Sequence, residues 1–192
     1  MKVLGITGGI GSGKSIVSKL LEINGIPVYN TDIAAKILYN ISPVIRQKLT
    51  ERFGAELYAE GVLNRSLLAS RIFQSSEDLR FVNSIVHPKV ENDLDEWKNQ
   101  FPEKSVVGVE SAILFESNLC NKVDIIINVS SCYEIRVERV QQRDKLSKEE
   151  IDRRIQQQMD DASRCRLANF TIINDNRQAL LPQIENLLKR LK

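Results

Sequence analysis

The segment Gly8–Ser15 reads GGIGSGKS and matches the pattern G-x-x-x-x-G-K-[ST] at every fixed position. Its glycines allow the backbone to turn tightly, so that successive N–H groups converge on the oxygens of a phosphate chain. In such a loop Lys14 reaches the outer phosphates, Ser15 offers its hydroxyl to Mg²⁺, and the N–H of Ile16 lies near the inner phosphate. The predicted phosphate-binding residues are Gly8, Gly11, Ser12, Gly13, Lys14, Ser15 and Ile16.

The residues on either side predict the strand and the helix that a phosphate-binding loop needs. The apolar run Val3–Ile6 precedes the glycines, and Val17, Leu20 and Leu21 recur at helical spacing after them. Gly25 is a typical helix stop. A flexible turn is the alternative interpretation, but such a turn needs neither lysine nor serine at its end.

Further apolar segments alternate with helical patterns along the whole chain. This alternation predicts an α/β fold with a parallel sheet that is covered on both faces. The five predicted strands are Val3–Ile6, Ile26–Tyr29, Val106–Val109, Ile125–Val129 and Phe170–Ile173. Ligands of open parallel sheets bind beyond the carboxyl ends of the strands, so the polar residues there are the functional candidates.

Two carboxylates follow predicted strands, and each has two interpretations. Asp32 could orient an attacking hydroxyl and accept its proton during phosphoryl transfer, or it could cap the helix that follows. Glu110 could help to hold Mg²⁺ through water, or it could cap a loop. Asn174 follows the last strand and is expected to contact the nucleotide.

Three arginines lie at positions i, i+3 and i+7 of a predicted helix and therefore share a face: Arg136, Arg139 and Arg143. This basic stripe could neutralise the charge on a transferring phosphoryl group, or it could be a solvated face paired with nearby glutamates. Beside a phosphate-binding loop, the first interpretation is favoured for Arg139. Arg143 is expected to contact ATP.

The spacing of the strands predicts one domain, residues 1–192, with two additions. Residues 31–104 are too many for one crossover helix and carry several helical patterns, so a helical insertion is expected there. The charged segment 143–158 is predicted to be a mobile lid.

The composition limits the classes of partner. The 192 residues carry 27 basic and 25 acidic side chains, a net charge of +2, so neither a nucleic acid nor a membrane is expected to bind. The three cysteines lack the spacing of metal ligands and are interpreted as reduced thiols. With no signal peptide and no apolar run of bilayer length, a soluble cytoplasmic protein is expected. The single histidine, His87, is expected at a helix boundary with a local hydrogen bond.

Nearly the whole chain resembles the dephospho-coenzyme A kinase family. Ile6–Ser15 is similar to the family's extended phosphate-loop motif, and Val28–Asp32 stands where the family usually has V-[ILV]-D-A-D. Ala112–Glu116 and Arg136–Asp144 resemble its P-L-L-F-E motif and its catalytic-arginine helix. The other similar segments are Asn64–Arg65, Val86–Pro88, Arg154–Gln158 and Ala168–Asn174.

This resemblance implies a three-layer P-loop NTPase core with a parallel five-stranded sheet, a helical acceptor-binding insertion and a lid. The implied reaction transfers the γ-phosphoryl group of ATP to the ribose 3′-hydroxyl of dephospho-coenzyme A with Mg²⁺, as the final step of coenzyme A biosynthesis. The implied catalytic residues are Lys14, Asp32 and Arg139. Asn30 replaces a usual Asp and Ala112 a usual Pro, and all three catalytic positions are kept. A monomer or a weak homo-oligomer is expected.

Two other functions remain open on the residues alone. A different small acceptor, such as a nucleoside monophosphate or shikimate, would make the protein a different kinase, and a chain without an acceptor would be a nucleotide-dependent switch. Asn121–Asp124 matches the N-K-x-D element of GTP-binding switch proteins, but it precedes a strand where theirs follows one. The sequence also lacks their D-x-x-G element, which argues against a switch.

Overall fold

The computed structural model describes residues 1–117 and 119–191, without the side chains of residues 73 and 74. The strands are β1 (Lys2–Thr7), β2 (Val28–Asn30), β3 (Tyr58–Ala59), β4 (Val62–Leu63), β5 (Val106–Glu110), β6 (Ile125–Ser130) and β7 (Phe170–Ile173). The helices are α1 (Lys14–Ile23), α2 (Thr31–Ile41), α3 (Pro43–Phe53), α4 (Arg65–Gln74), α5 (Ser76–Lys98), α6 (Tyr133–Asp144), α7 (Lys148–Gln156), α8 (Asp161–Leu167) and α9 (Leu180–Leu191). Within the described ranges, no helix combines the length and the apolar composition needed to cross a membrane.

The chain divides into two compact units. Met1–Asn30 and Phe101–Lys192 form the first unit, and Thr31–Gln100 forms the second. In the first unit, five strands form a parallel sheet in the order β2-β5-β1-β6-β7. The register sets Ile6 of β1 opposite Glu110 of β5 and Ile127 of β6, so the carboxyl ends of the central strands lie side by side. The predicted five-stranded α/β fold is therefore confirmed.

All five predicted strands are present, with ends that differ from the prediction by at most two residues. The largest difference is in β2, which begins at Val28 and not at Ile26, because Pro27 has no N–H to donate to a neighbouring strand.

A two-stranded hairpin of β3 and β4 was not predicted. Each of its strands has two residues, too few for alternation to be visible in the sequence. The turn at Glu60 and Gly61 has positive φ at both positions, as a tight hairpin turn requires.

The core of the first unit lies where α1 and α9 pack on the sheet. The helical spacing predicted after the phosphate loop is confirmed, since Val17 and Leu21 of α1 are fully buried. The buried members of this cluster are Leu4, Ile6, Val17, Leu21, Ile26, Ile127, Val129, Ile172, Ile184 and Leu187. This packing fixes α1, and with it the loop that precedes α1, against the central strands.

The second unit consists of α2–α5 and the hairpin. Its longest helix, α5, has Ser75 as its N-cap and buries Val82, Leu94 and other apolar residues. The prediction that His87 lies at a helix boundary is wrong, because α5 continues through Pro88. Proline removes one N–H and usually ends a helix, but burial of the apolar residues on both sides of Pro88 outweighs this loss.

The half-buried His87 predicts a pH-dependent stability. Burial lowers the pKa of His87 from its ordinary value of 6.5, and Glu91 opposes part of this shift. Protonation of His87 therefore favours the unfolded chain, so its contribution is present above pH 6.5 and is lost as the pH falls through the lowered pKa. Between pH 7 and pH 5, the wild type is expected to lose more free energy of unfolding than the His87→Gln variant. Urea unfolding followed by Trp97 fluorescence measures both, and equal losses would contradict the prediction.

Candidate active site

The phosphate loop, residues 8–13, connects β1 to α1. Since β1 is the central strand, the loop lies at the middle of the carboxyl edge of the sheet. Its first residue, Gly8, has a φ of +154°, and a Cβ at this position would lie 2.4 Å from the carbonyl oxygen of Val129. The backbone of the loop can approach β6 this closely only because Gly8 has no side chain.

Side-chain donors bind the carbonyl oxygens of five consecutive residues of the phosphate loop. The first two oxygens accept from Lys14, whose Nζ lies 2.8 Å from Gly8 O and 3.3 Å from Gly9 O. The third accepts from Arg136, whose Nε lies 2.9 Å from Ile10 O. Lys14 and Arg136 are both buried, so these contacts are shielded from water.

The last two of these oxygens are bound by Arg139 of α6 and by Asn174, which follows β7. Arg139 Nη1 donates to Gly11 O at 3.4 Å and to Ser12 O at 3.3 Å. Asn174, directly after β7, donates from Nδ2 to Ser12 O at 2.8 Å. The same asparagine accepts a hydrogen bond of 3.2 Å from Arg139 Nη2, which also donates to Asn176. The structure thus brings Arg139 and Asn174, both predicted from the sequence, together at the loop.

This arrangement prepares the loop for an anion. The carbonyl and the N–H of one peptide point in opposite directions, so donors on the carbonyls of Gly8, Ile10 and Ser12 turn the N–H groups of the three following glycines to the other side. The N–H groups of Ile10 and Ser12 donate within the protein, to Gln158 Oε1 and to Gly9 O. The positive end of the α1 helix dipole adds to the glycine N–H groups, because α1 begins at Lys14, directly after the loop. The N–H of Ile16 donates to Gly13 O at 3.0 Å, as part of the tight first turn of α1.

Ser15 and Glu110 form the oxygen-rich side of the loop. Ser15 Oγ donates to Glu110 Oε1 at 2.9 Å, and Glu110 is the buried last residue of β5. Among the residues that the structure describes, no group of three His, Cys, Asp or Glu side chains is close enough to hold a metal ion. A metal ion at this loop would therefore need ligand oxygens from a bound phosphate or from water in addition to the protein.

The three arginines of α6 differ in depth and in partners. Arg136 is fully buried and is paired with Asp161, and burial lowers its pKa. Arg139 is half-buried at the phosphate loop. Arg143 is exposed, and its Nε lies 2.8 Å from Asp144, whose hydrogen bond raises the pKa of Arg143. Although the three arginines share one face of the helix, Arg136 is buried, Arg139 contacts the phosphate loop, and Arg143 forms an ion pair at the surface.

Asp32 belongs to the second unit. The helix α2 begins at Thr31, so the exposed Asp32 lies in its first turn and not at the N-cap position. A carboxylate there is favourable beside the positive end of the helix dipole. Asp32 comes two residues after the carboxyl end of β2, which pairs with β5 through Asn30 and Glu110.

Sequence reasoning missed Gln158 as a loop contact. Its Oε1 accepts from the N–H of Ile10 at 2.8 Å, and its Nε2 donates to Ala112 O at 3.2 Å. Gln158 is the last of three consecutive glutamines, and nothing in this run distinguishes the one that turns inward. The contact of Arg136 with Ile10 was also missed, because spacing along a helix predicts a face but not the depth of burial.

A glycine loop between the central strand of a parallel sheet and the following helix, with a lysine and a serine at its end, is the arrangement found in P-loop kinases. A family model described as Dephospho-CoA kinase matches residues 2–179. The chain belongs to the dephospho-CoA kinase family, whose members phosphorylate dephospho-CoA with ATP in the last step of coenzyme A biosynthesis.

Individual relatives agree with this assignment. The dephospho-CoA kinase of Bacteroides fragilis is 45% identical over 185 residues, which cover 96% of this chain and 90% of the relative. That of Porphyromonas gingivalis is 41% identical over 193 residues, with coverage of 100% and 95%. A crystal structure of a Thermus thermophilus protein matches with a TM-score of 0.84 and 32% identity, covering 99% of this chain and 95% of that one. The resemblance and the kinase activity expected from the sequence are confirmed, in preference to a nucleotide-dependent switch.

Substituting Gly8 is expected to destabilise the protein far more than substituting Gly25. Both have positive φ, but a Cβ at Gly25 would meet no atom within 4 Å. A positive φ costs a residue with a Cβ about 1–2 kcal/mol, which is the loss expected for Gly25→Ala. Gly8→Ala adds the collision with Val129 O. Chemical denaturation of both variants measures the difference, and equal losses would contradict the close approach of loop and β6.

Proposed function

We propose that this chain transfers the γ-phosphoryl group of ATP to the ribose 3′-hydroxyl of dephospho-CoA, with the phosphate loop as its ATP site. The observation that carries the proposal is the set of side-chain donors on five consecutive loop carbonyls. These contacts fix the loop before ATP binds, so its N–H groups need little reorganisation to receive the phosphates. Lys14 would then hold the β- and γ-phosphates together with the loop amides.

Mg²⁺ is proposed to bind beside Ser15 and Glu110. Hydroxyl and carboxylate oxygens suit this ion, which commonly keeps water and phosphate oxygens as its remaining ligands. The hydrogen bond of 2.9 Å between the two side chains supports the proposal, because it holds both oxygens at one position. When bound, the ion would neutralise charge on the β- and γ-phosphates.

Asp32 is proposed to orient the acceptor hydroxyl and to accept its proton. The exposure of its carboxylate supports this role, because a base must be reachable by the acceptor. Its place just after β2 supports the role as well, since residues that follow strands of an open parallel sheet line ligand sites.

Arg139 is proposed to stabilise the transferring phosphoryl group, with Asn174 and Arg143 contacting ATP. The guanidinium of Arg139 is hydrogen-bonded to two loop carbonyls, so it raises the positive potential where negative charge would develop on the transferring phosphoryl group. Asn174 is buried against the same loop. Arg143 is paired with Asp144, so it would exchange a carboxylate for phosphate oxygens, which are equally suited to a guanidinium.

Residues 31–104 are proposed to bind the acceptor, and residues 143–158 to form a lid that excludes water during transfer. The lid proposal is supported by α7, a separate helix that begins with a capping box of Ser147 and Glu150. We further propose that the enzyme works in the cytoplasm as a monomer or a weak homo-oligomer. Its free cysteines are in keeping with a reducing compartment.

The protein is expected to convert ATP·Mg²⁺ and dephospho-CoA into equal amounts of ADP and coenzyme A, measured by mass spectrometry. The 3′-deoxy analogue of dephospho-CoA should give no phosphorylated product, because the accepting oxygen is missing. A nucleoside monophosphate and shikimate serve as control acceptors. Faster turnover of either control, or phosphorylation of the deoxy analogue, would contradict the proposal.

Asp32→Asn is expected to slow the chemical step and to leave ATP binding unchanged. Asparagine keeps the size of the side chain but cannot accept the proton, and general-base catalysis contributes about 10²–10⁴-fold to a rate. The kcat should fall by about this factor while the KM for ATP stays near the wild-type value. Glu185→Gln on α9 is the control for loss of an exposed carboxylate. A kcat for Asp32→Asn close to that of this control would rule out the role as base.

A further inference from the structure

Ile10, at the third position of the phosphate loop, is held through its N–H, its carbonyl and its side chain. The N–H donates to Gln158 Oε1 at 2.8 Å, and the carbonyl accepts from Arg136 Nε at 2.9 Å. The side chain packs against a small apolar cluster that includes Val140 of α6 and the fully buried Ile151 of α7. The loop motif fixes the glycines, the lysine and the serine but allows any residue at this third position, so the motif alone does not predict the contacts of Ile10.

Gln158 connects Ile10 to a second backbone segment. Its amide accepts from the loop through oxygen and donates to Ala112 O through nitrogen at 3.2 Å. The next residue, Met159, donates its N–H to Glu116 Oε1 at 2.8 Å. Residues 158 and 159 therefore join the phosphate loop to the turn that follows β5, and a side chain with both a donor and an acceptor is needed for this.

Arg136 holds the Ile10 carbonyl, which belongs to the next peptide, and leads to the same region. Its guanidinium lies over Gly9, where a Cβ would be 2.4 Å from Nη2. It is paired with Asp161, the first residue of α8, which also pairs with Arg164. Both polar contacts of Ile10 thus depend on residues from 158 to 161, either directly or through one arginine.

We propose that Gln158 is a positioning residue for phosphoryl transfer, which sets the Ile10 peptide and thereby the shape of the phosphate loop. The inference rests on the proposed role of this loop as the ATP site. Ordering a flexible loop on binding costs free energy, so a loop that is already ordered binds phosphate more tightly. Loss of the hydrogen bond between Gln158 and Ile10 is therefore expected to weaken ATP binding. Because Ile10 of the loop and Ile155 of α7 both pack against the cluster that contains Ile151, the loop and the proposed lid segment also share apolar contacts.

The test compares Gln158→Met, Gln158→Glu and the control Gln141→Met, an exposed glutamine on α6. Methionine has a similar size but leaves the Ile10 N–H without an acceptor, and a lost acceptor of this kind is worth about ten-fold in an equilibrium constant. Calorimetric titration with ATP·Mg²⁺ alone should therefore show about ten-fold weaker binding for Gln158→Met. Glutamate keeps an oxygen for Ile10 but loses the donor to Ala112 O and adds a negative charge, so Gln158→Glu is expected to retain slow amide exchange at Ile10 and not the full ATP affinity. Gln141→Met is expected to match the wild type.

The steady-state parameters provide a readout that a merely structural role would not move. For Gln158→Met, the KM for ATP should rise while the KM for dephospho-CoA stays near the wild-type value. Amide exchange at Ile10, followed by NMR without ATP, should be faster in this variant. If Gln158→Met fails to fold, Gln158→Ala, which also removes the acceptor, carries the test, and ATP affinity equal to that of the wild type in it would overturn the proposal.

Two further outcomes separate this inference from the proposed function. ATP binding by Gln158→Met as tight as in the wild type overturns the positioning role, even where the melting temperature falls. A wild-type protein that binds ATP but forms no coenzyme A contradicts the proposed function, whereas weakened ATP binding by Gln158→Met in that same protein still supports the positioning role.

Discussion

A phosphate loop can present its N–H groups to an anion only if its own carbonyl oxygens have other partners. A buried carbonyl without a hydrogen-bond donor is costly, so in the absence of such donors the peptides of the loop would rotate toward other N–H or O–H groups. Here four side chains, Lys14, Arg136, Arg139 and Asn174, bind the carbonyls of five consecutive residues. Three of these donors are cationic, so the groups that fix the backbone also make the site positive.

The elements around the loop are arranged to deliver these donors. The helix α6 carries both Arg136 and Arg139, and its backbone reaches the loop so closely that a Cβ on Gly11 would lie 2.5 Å from Arg136 O. The glycines of the motif therefore have two roles, because they allow the turn and they leave room for α6. Asn174 directly follows β7, an edge strand of the sheet, and its side chain donates to Ser12 O.

The sequence predicts those features that depend on local pattern. The strand, glycine loop and helix could be predicted because each has a period or a fixed spacing, and so could the placement of Asp32 and Asn174 after strands. The different depths of Arg136 and Arg143 could not be predicted, because a helical face says nothing about which neighbour covers each turn. Gln158 could not be found either, since its contact with Ile10 joins residues 148 positions apart and leaves no pattern in either segment.

The charge of the site is local, and this explains how a nearly neutral chain can bind a highly charged nucleotide. With 27 basic and 25 acidic residues, the chain as a whole exerts little attraction on an anion. Lys14 and Arg136 are buried beside the loop, where salt screens charges much less than at the surface. Asp161 balances the charge of Arg136 through an ion pair, and residues 8–13 of the loop carry no carboxylate themselves. On the proposed role of the loop, selectivity for phosphate would come from a few fixed donors around one turn of backbone.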